Sequence, residues 1–235
     1  KEAKSINKNL FCILFDPKVS LDWQIKEIKI ADLLIVSSIE QKEYLLKYNK
    51  HIFIYYMFPD VPQVDKEHIQ KSKIVIGYHG NKQHLSAMGD VSWALDELAK
   101  IYDIEFWAMY NIEKLGKWKK NLPKVCKVQH LQWSEKNIAS QMSQCDIGVV
   151  PSVLKNSKFW GRPPITFILN KEGYHDNDYV QRFKFSNNPG RIYVFSQLSV
   201  PVVADFTPSA CQIIKDGESG FLVGTKEGWH QALEK

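Results

Sequence analysis

Residues 186–205 read SNNPGRIYVFSQLSVPVVAD, and this stretch decides the fold. Asn188 is suited to cap a helix, Pro189 to its first position, and Gly190 permits close approach of a ligand to the backbone. The pattern predicts a helix over Pro189–Leu198, followed at once by a fully apolar strand over Val200–Ala204. A strand with no polar alternation directly after a helix belongs in a parallel sheet buried on both faces. The free N–H groups and positive end of such a helix attract an anion, and Arg191 adds a bidentate phosphate contact. The same signature also fits a plain capped helix with Arg191 turned to solvent.

The unit repeats in both directions. C-terminal to it, a helix is expected over Pro208–Lys215 and a strand over Gly220–Val223; N-terminal to it, strands over Ile104–Met109, Val125–Leu131 and Asp146–Val150, with helices over Asp90–Tyr102 and Glu135–Gln144. This series opens at Lys73 with KIVIGYHG, a strand running into a glycine turn. A shorter series precedes it: strands Leu10–Phe15, Ala31–Val36 and Ile52–Tyr56, and helices Leu21–Ile30 and Ile39–Tyr48, the latter capped from Ser37-Ser38. Between the two, Phe58–Asp65 carries two prolines and no periodicity, which marks a linker. The expected organisation is an incomplete N-terminal Rossmann-like domain over 1–58, a linker over 59–70 and a Rossmann-like α/β domain with a parallel sheet over 71–235. Ser152–Asn188 fits no element and reads as a long loop or insertion.

Composition narrows the function classes. In 235 residues the chain has a 44% hydrophobic fraction and a net charge of +5, which suits an anionic ligand or loose membrane contact and falls short of a dedicated nucleic-acid binder. Cys12, Cys126, Cys145 and Cys211 show no CxxC or Cys/His spacing, three lie in apolar runs typical of buried thiols, and a reducing cytoplasm is expected. No 18-residue apolar stretch exists, and the N-terminal stretch lacks the core and cleavage site of a signal peptide. Lysines 114, 117, 119, 120, 124 and 127, with Trp118 among them, form the densest basic stretch. They read as a solvated face, with contact to an anionic membrane surface or to nucleic acid as the alternatives.

Two further turns carry candidate ligand groups. Gly77, His79, Gly80, Asn81 and Lys82 follow a strand directly, where ligands of open α/β sheets gather. Thr207 caps and Pro208 starts the next helix, with Ser209 behind them, so this N-terminus lies just past a strand end. Taken alone, each turn is better read as a plain strand-to-helix connection. No metal-ligand cluster, catalytic triad or Cys-His pair is present in the pattern.

In this order the parts resemble the retaining, family-4-like glycosyltransferases of the GT-B group. The resemblance rests on Ile74–Lys82, on CDIGVVPS at 145–152, on Arg191–Ala204 and on DGESGFLV at 216–223, with ADLLIVSS at 31–38 similar to the strand that closes the first domain of such enzymes. It implies an enzyme that transfers a hexosyl group from a UDP-, GDP- or ADP-type nucleotide diphosphate-sugar to a glycan or lipid-linked acceptor, in surface polysaccharide or glycan synthesis. It implies no obligatory cofactor or metal, no nucleic acid, and a cytoplasmic setting with peripheral contact at the inner membrane face. On this reading the pyrophosphate lies at Asn188, Gly190 and Arg191, with Arg191 and Lys82 the charges that assist catalysis. The base lies near Trp133 and Pro151, and Gly77, His79, Gly80, Asn81, Thr207 and Ser209 line the remainder.

Two departures qualify the resemblance. The paired glutamates of that family fall at Ser186 and Val194 here, so contacts to the ribose and the donor sugar are made otherwise or lost, with Glu172, Asp176 or Asp178 as candidate substitutes. Only about 60 residues precede the linker, against well over a hundred in the family. The chain therefore reads as a fragment, or a sequence lacking stretches, without the acceptor-side histidine or the C-terminal helix that crosses back. A sugar-nucleotide epimerase on the same fold, or a non-catalytic sugar-nucleotide or partner-binding domain, are the other readings.

Overall fold

A computed structural model describes residue 7 and residues 9–19, 21–56, 58–69, 71–152 and 188–235. The expected substitutes Glu172, Asp176 and Asp178, and Ser186, lie outside the described residues. The chain divides into two compact units. One holds the described residues up to 56 together with Asn188 and Pro189, and the other holds residues 58–152 and 190–235.

The first unit is a three-stranded parallel sheet of order β1-β2-β3, with β1 Ile13–Phe15, β2 Leu33–Val36 and β3 Ile52–Ile54. Helices α1 (Asp22–Ile30) and α2 (Ile39–Leu45) connect them. Ile28, Ala31, Leu34, Val36 and Leu45 form its core. Ser38 caps α2 by accepting from the Gln41 N–H. The strands are shorter than their apolar runs, because neighbours pair only over three residues at β1 and β3.

The second unit carries a six-stranded, wholly parallel sheet of order β6-β5-β4-β7-β8-β9. Its strands are β4 Lys73–His79, β5 Asp103–Tyr110, β6 Lys127–Gln132, β7 Ile147–Val150, β8 Val202–Asp205 and β9 Phe221–Val223. Its helices are α3 Lys82–Ala87, α4 Gly89–Leu98, α5 Ile112–Leu115, α6 Glu135–Met142, α7 Gly190–Gln197, α8 Pro208–Cys211 and α9 Lys226–Glu234. Counted from β4, the spatial order is 3-2-1-4-5-6, the doubly wound arrangement in which the direction of strand addition reverses between the first and fourth strands. Two apolar clusters cover its faces. One is built around Phe106, Trp118 and Trp229, and the other around Met142, Ile192, Phe195 and Leu198.

Several expectations are corrected. The helix expected over Pro208–Lys215 ends at Cys211. The Ile213 N–H bonds to the Ala210 carbonyl three residues back, tightening the turn, and Ile214 is then drawn into the core. Helices α3, α5 and α9 were not anticipated. In α9 the Thr225 cap accepts from the Gly228 N–H, and Trp229, Ala232 and Leu233 are buried. Of the four thiols only Cys126 and Cys145 are buried, while Cys211 is exposed on a short helix. Helix α7 starts at Gly190, so Pro189 precedes its first residue and Asn188 stands one position further out.

Close packing between helix and sheet is secured by two glycines paired across β4 and β7, Gly77 and Gly148. A β-carbon at Gly148 would lie 2.6 Å from the Phe195 ring, and one at Gly77 would overlap the Cys145 sulfur. Gly77, expected as a ligand-binding residue, therefore has a packing role: its missing side chain is the space that Cys145, following α6, occupies.

Candidate functional site

The carboxyl ends of β4 and β7 flank the reversal point of the second sheet, where open α/β folds leave a crevice above the strand ends. On β4 these ends supply Tyr78, His79 and Gly80; on β7 they supply Pro151 and Ser152; from β8 comes Asp205. Arg191, the second residue of α7, bridges them. Its Nη2 donates to the Pro151 carbonyl at 2.8 Å and to the Ser152 hydroxyl at 3.2 Å, and its guanidinium lies 5.7 Å from the centre of the Tyr78 ring. The Asp205 carboxylate accepts the Ser152 N–H at 2.5 Å, holding the β7 end against which Arg191 rests.

Its other terminal nitrogen, Arg191 Nη1, is buried and has no hydrogen-bond partner among the described residues. A buried guanidinium nitrogen in this condition is costly unless something else satisfies it. His79 Nε2, at the last position of β4, is in the same condition. The His79 ring packs 5.1 Å from that of Phe195. Burial, reinforced by the Arg191 charge, pushes the His79 pKa down to about 3, with a hydrogen bond to the Arg191 backbone pulling the other way. His79 is therefore neutral at any ordinary pH. Burial raises the Tyr78 hydroxyl to about 12, against the opposing pull of Arg191, so it too is neutral and donates to the Asn81 carbonyl at 2.7 Å.

Gly80 makes this arrangement possible. Its φ of +140° is a conformation that residues with side chains rarely adopt, and a β-carbon there would lie 2.9 Å from the Tyr78 oxygen and 3.1 Å from Arg191 Cδ. The turn thus lets the Arg191 stem pass over the end of β4.

The other expected site residues are placed as follows. Asn81 caps α3, accepting from the Gln83 N–H at 2.9 Å. Lys82 starts that helix, and its ammonium donates to the Leu115 carbonyl at the end of α5, so its charge is directed to that carbonyl and not to Arg191. Trp133 follows β6, with its N–H on the Tyr110 carbonyl and its side chain partly exposed. Thr207 and Ser209 are buried at the start of α8, Thr207 accepting from the Ala210 N–H. Asn188 belongs to the first unit, so the site within the second unit begins at Gly190. Val194, at the second glutamate position of the resembled family, is buried in the apolar cluster beneath α7.

Sequence reasoning missed Tyr78, Ser152 and Asp205. Tyr78 and Asp205 end apolar strands and read as scaffold, and only the crossing of α7 over β4 and β7 reveals them beside Arg191. Among the described residues, no group of three or more His, Cys, Asp or Glu side chains is arranged to hold a metal ion, and no helix is long and apolar enough to cross a membrane.

No protein-family model and no curated protein sequence matches the chain. Solved structures do. A variant of TarM from S. aureus, solved with fondaparinux, α-GlcNAc-glycerol and UDP, superposes with a TM-score of 0.60 at 13% identity, over 99% of this chain and 46% of its own. HepE from Anabaena, with UDP and glucose, gives 0.59 at 12% identity over 99% and 62%. A UDP-forming α,α-trehalose-phosphate synthase from Burkholderia xenovorans, with glucose-6-phosphate, gives 0.55 at 10% identity over 98% and 61%. The chain thus spans about half the length of TarM and three-fifths of the other two. These neighbours are GT-B glycosyltransferases, and the α/β fold with parallel sheets is the one they carry.

Proposed function

We propose that the second unit binds the diphosphate of a nucleotide-sugar at the β4–β7 reversal point, as the donor half of a glycosyltransferase acting in surface polysaccharide or glycan synthesis. The observation that carries this reading is the buried, unpartnered Nη1 of Arg191, anchored through Nη2 and aligned over Tyr78. A guanidinium fixed by one nitrogen, with another left over, is preorganised for an anionic oxygen. The UDP bound by TarM and HepE is consistent with UDP as the nucleotide.

On this reading the base lies towards Trp133, two strands from β4 and so roughly 10 Å away at the spacing of neighbouring strands. The pyrophosphate meets the start of α7 at Gly190 and Arg191, with Gly80 and His79 below and Thr207 and Ser209 on the far flank. As the bond from the sugar to the β-phosphate breaks, negative charge grows on the departing diphosphate. A fixed cation and helix dipole stabilise that charge more than the ground state. Lys82 joins them only by leaving the Leu115 carbonyl. Hexosyl transfer with retention is the finer form of this reading.

Calorimetric titration of the protein with UDP, GDP and ADP tests it, with UDP-sugar turnover measured on the full-length enzyme. Saturable binding of one diphosphate, abolished in Arg191→Ala, is expected. Absence of binding to all three sinks the proposal. One observation favours a second reading, a binding module without transfer: Val194 is buried in apolar surroundings and leaves no carboxylate there for ribose or sugar hydroxyls. Diphosphate binding with no transfer by the full-length protein would select it.

A further inference from the structure

The lysine-rich segment between β5 and β6 is held in one conformation by its own buried groups. Trp118 is 1% exposed, edge-on to Phe106 at 6.1 Å. Its N–H donates to the Tyr110 hydroxyl at 2.8 Å and its indole Nε1–H to the Lys120 carbonyl at 2.5 Å. Asn121 donates to the Ser86 carbonyl, and its own carbonyl accepts from Ser92. Asp96 then accepts the N–H groups of Lys124, Val125 and Cys126 at 2.7–3.0 Å. With Trp118 turned inward and the backbone pinned along its length, Lys114, Lys117, Lys119, Lys120 and Lys124 are all exposed.

None of these five lysines enters an ion pair among the described residues. Lys127, by contrast, is committed to Glu105 at 3.2 Å. The carboxylates nearby are Glu113, which is exposed, and Asp96, which is occupied by backbone donors. Five like charges gathered on a fixed loop repel one another, and a counter-charged surface would relieve that repulsion. Leu115 and Val125 are exposed beside them, at 36% and 54%.

We propose that residues 114–125 form a preorganised docking surface for an anionic lipid bilayer. The lysines meet the headgroup charge, and Leu115 and Val125 contribute apolar contact at the interface. Because the loop is already ordered, little conformational entropy is lost on contact. A single-stranded nucleic acid is disfavoured, since the one aromatic ring of the segment, Trp118, is buried and offers no stacking surface. The proposal is independent of the nucleotide site, so either can fail alone.

The test is co-sedimentation of the protein with vesicles of phosphatidylcholine alone and with vesicles containing about one-third phosphatidylglycerol, at low and high salt. Binding to the anionic vesicles only, weakened by salt, is expected. At roughly fivefold per lysine, the triple variant Lys117→Gln, Lys119→Gln, Lys120→Gln should bind about a hundredfold more weakly. A control carrying Lys26→Gln and Lys50→Gln should bind as the parent does. The substituted side chains are all exposed, and a thermal melt matching that of the parent verifies the fold. Equal binding to both vesicle types, no binding to either, or undiminished binding by the triple variant overturns the proposal. Tighter binding to duplex DNA at matched phosphate concentration also overturns it, in favour of nucleic acid.

Discussion

Arg191 Nη2 and the Pro151 carbonyl oxygen stand 2.8 Å apart, tying the second residue of α7 to the end of β7 across 40 positions of sequence. This bond leaves Nη1 as a spare donor of a guanidinium fixed through Nη2. It joins a helix start to a strand end at the reversal point of the sheet, so the proposed chemistry rests on it.

If the proposed sugar-nucleotide transfer holds, replacing Arg191 with alanine should lower turnover by roughly ten- to a thousandfold, the range for loss of one preorganised charge-stabilising donor. Arg191→Lys should recover only part of this, because an ammonium cannot hold Pro151 and present a second directed donor in the same plane. Steady-state kinetics with the sugar-nucleotide varied would check it, and an unchanged rate in the alanine variant would remove Arg191 from the mechanism.

Gly80→Ala introduces a β-carbon 3.1 Å from Arg191 Cδ at a φ of +140°. Both the strain and the contact should displace Arg191, weakening diphosphate binding by about tenfold or more for a cost of 1–3 kcal/mol. Calorimetry on a variant that still melts cooperatively measures the effect. Full affinity would mean that the guanidinium position is not set by this turn.

Gly148→Ala tests packing apart from ligand binding. The new methyl group would meet the Phe195 ring at 2.6 Å in an otherwise filled interior, and overpacking of this kind costs about 1–3 kcal/mol. Urea unfolding should show a lower midpoint with unchanged slope. A neutral result would show that α7 can move off the sheet freely.

Acid should destabilise the second unit in two steps. His79 is held neutral with its pKa near 3, so once the pH falls below the ordinary histidine value the unfolded chain takes up a proton that the folded chain refuses, and stability declines from there. Glu105 works through the opposite charge: its hydrogen bond to Lys73, and then that to Lys127, hold its pKa below the ordinary carboxylate value. Its contribution is present above that ordinary value and is lost as pH falls through the folded one. His79→Phe should therefore flatten the stability profile between about pH 6.5 and 4, and Glu105→Gln only the limb below about pH 4.5. Profiles from urea unfolding separate the two, and a His79→Phe curve parallel to the parent would refute the buried neutral histidine.

The parts of this protein visible in its sequence are those made by near neighbours along the chain. Ser38 and Thr207 each cap a helix by accepting an N–H three residues on, and apolar runs such as Val202–Ala204 mark buried parallel strands. The helices that escaped notice are four-residue or six-residue segments, or, in α9, a nine-residue one with Gly228, a weak helix former, in its first turn. What Gly77 does was hidden for a different reason: a glycine needed for close packing and one needed for ligand approach look alike until Cys145 is seen against it.

By itself, then, the sequence determined the α/β class, the alternation of helices with buried strands and the presence of a cationic helix start at Arg191, because capping, periodicity and charge act over a few residues. Only the tertiary structure decided that Arg191 lies over Tyr78 and against Pro151, that Asp205 steadies Ser152, and that Lys82 is turned to Leu115. Those relations depend on the order in which strands assemble, and strand order is set by packing over the whole sheet.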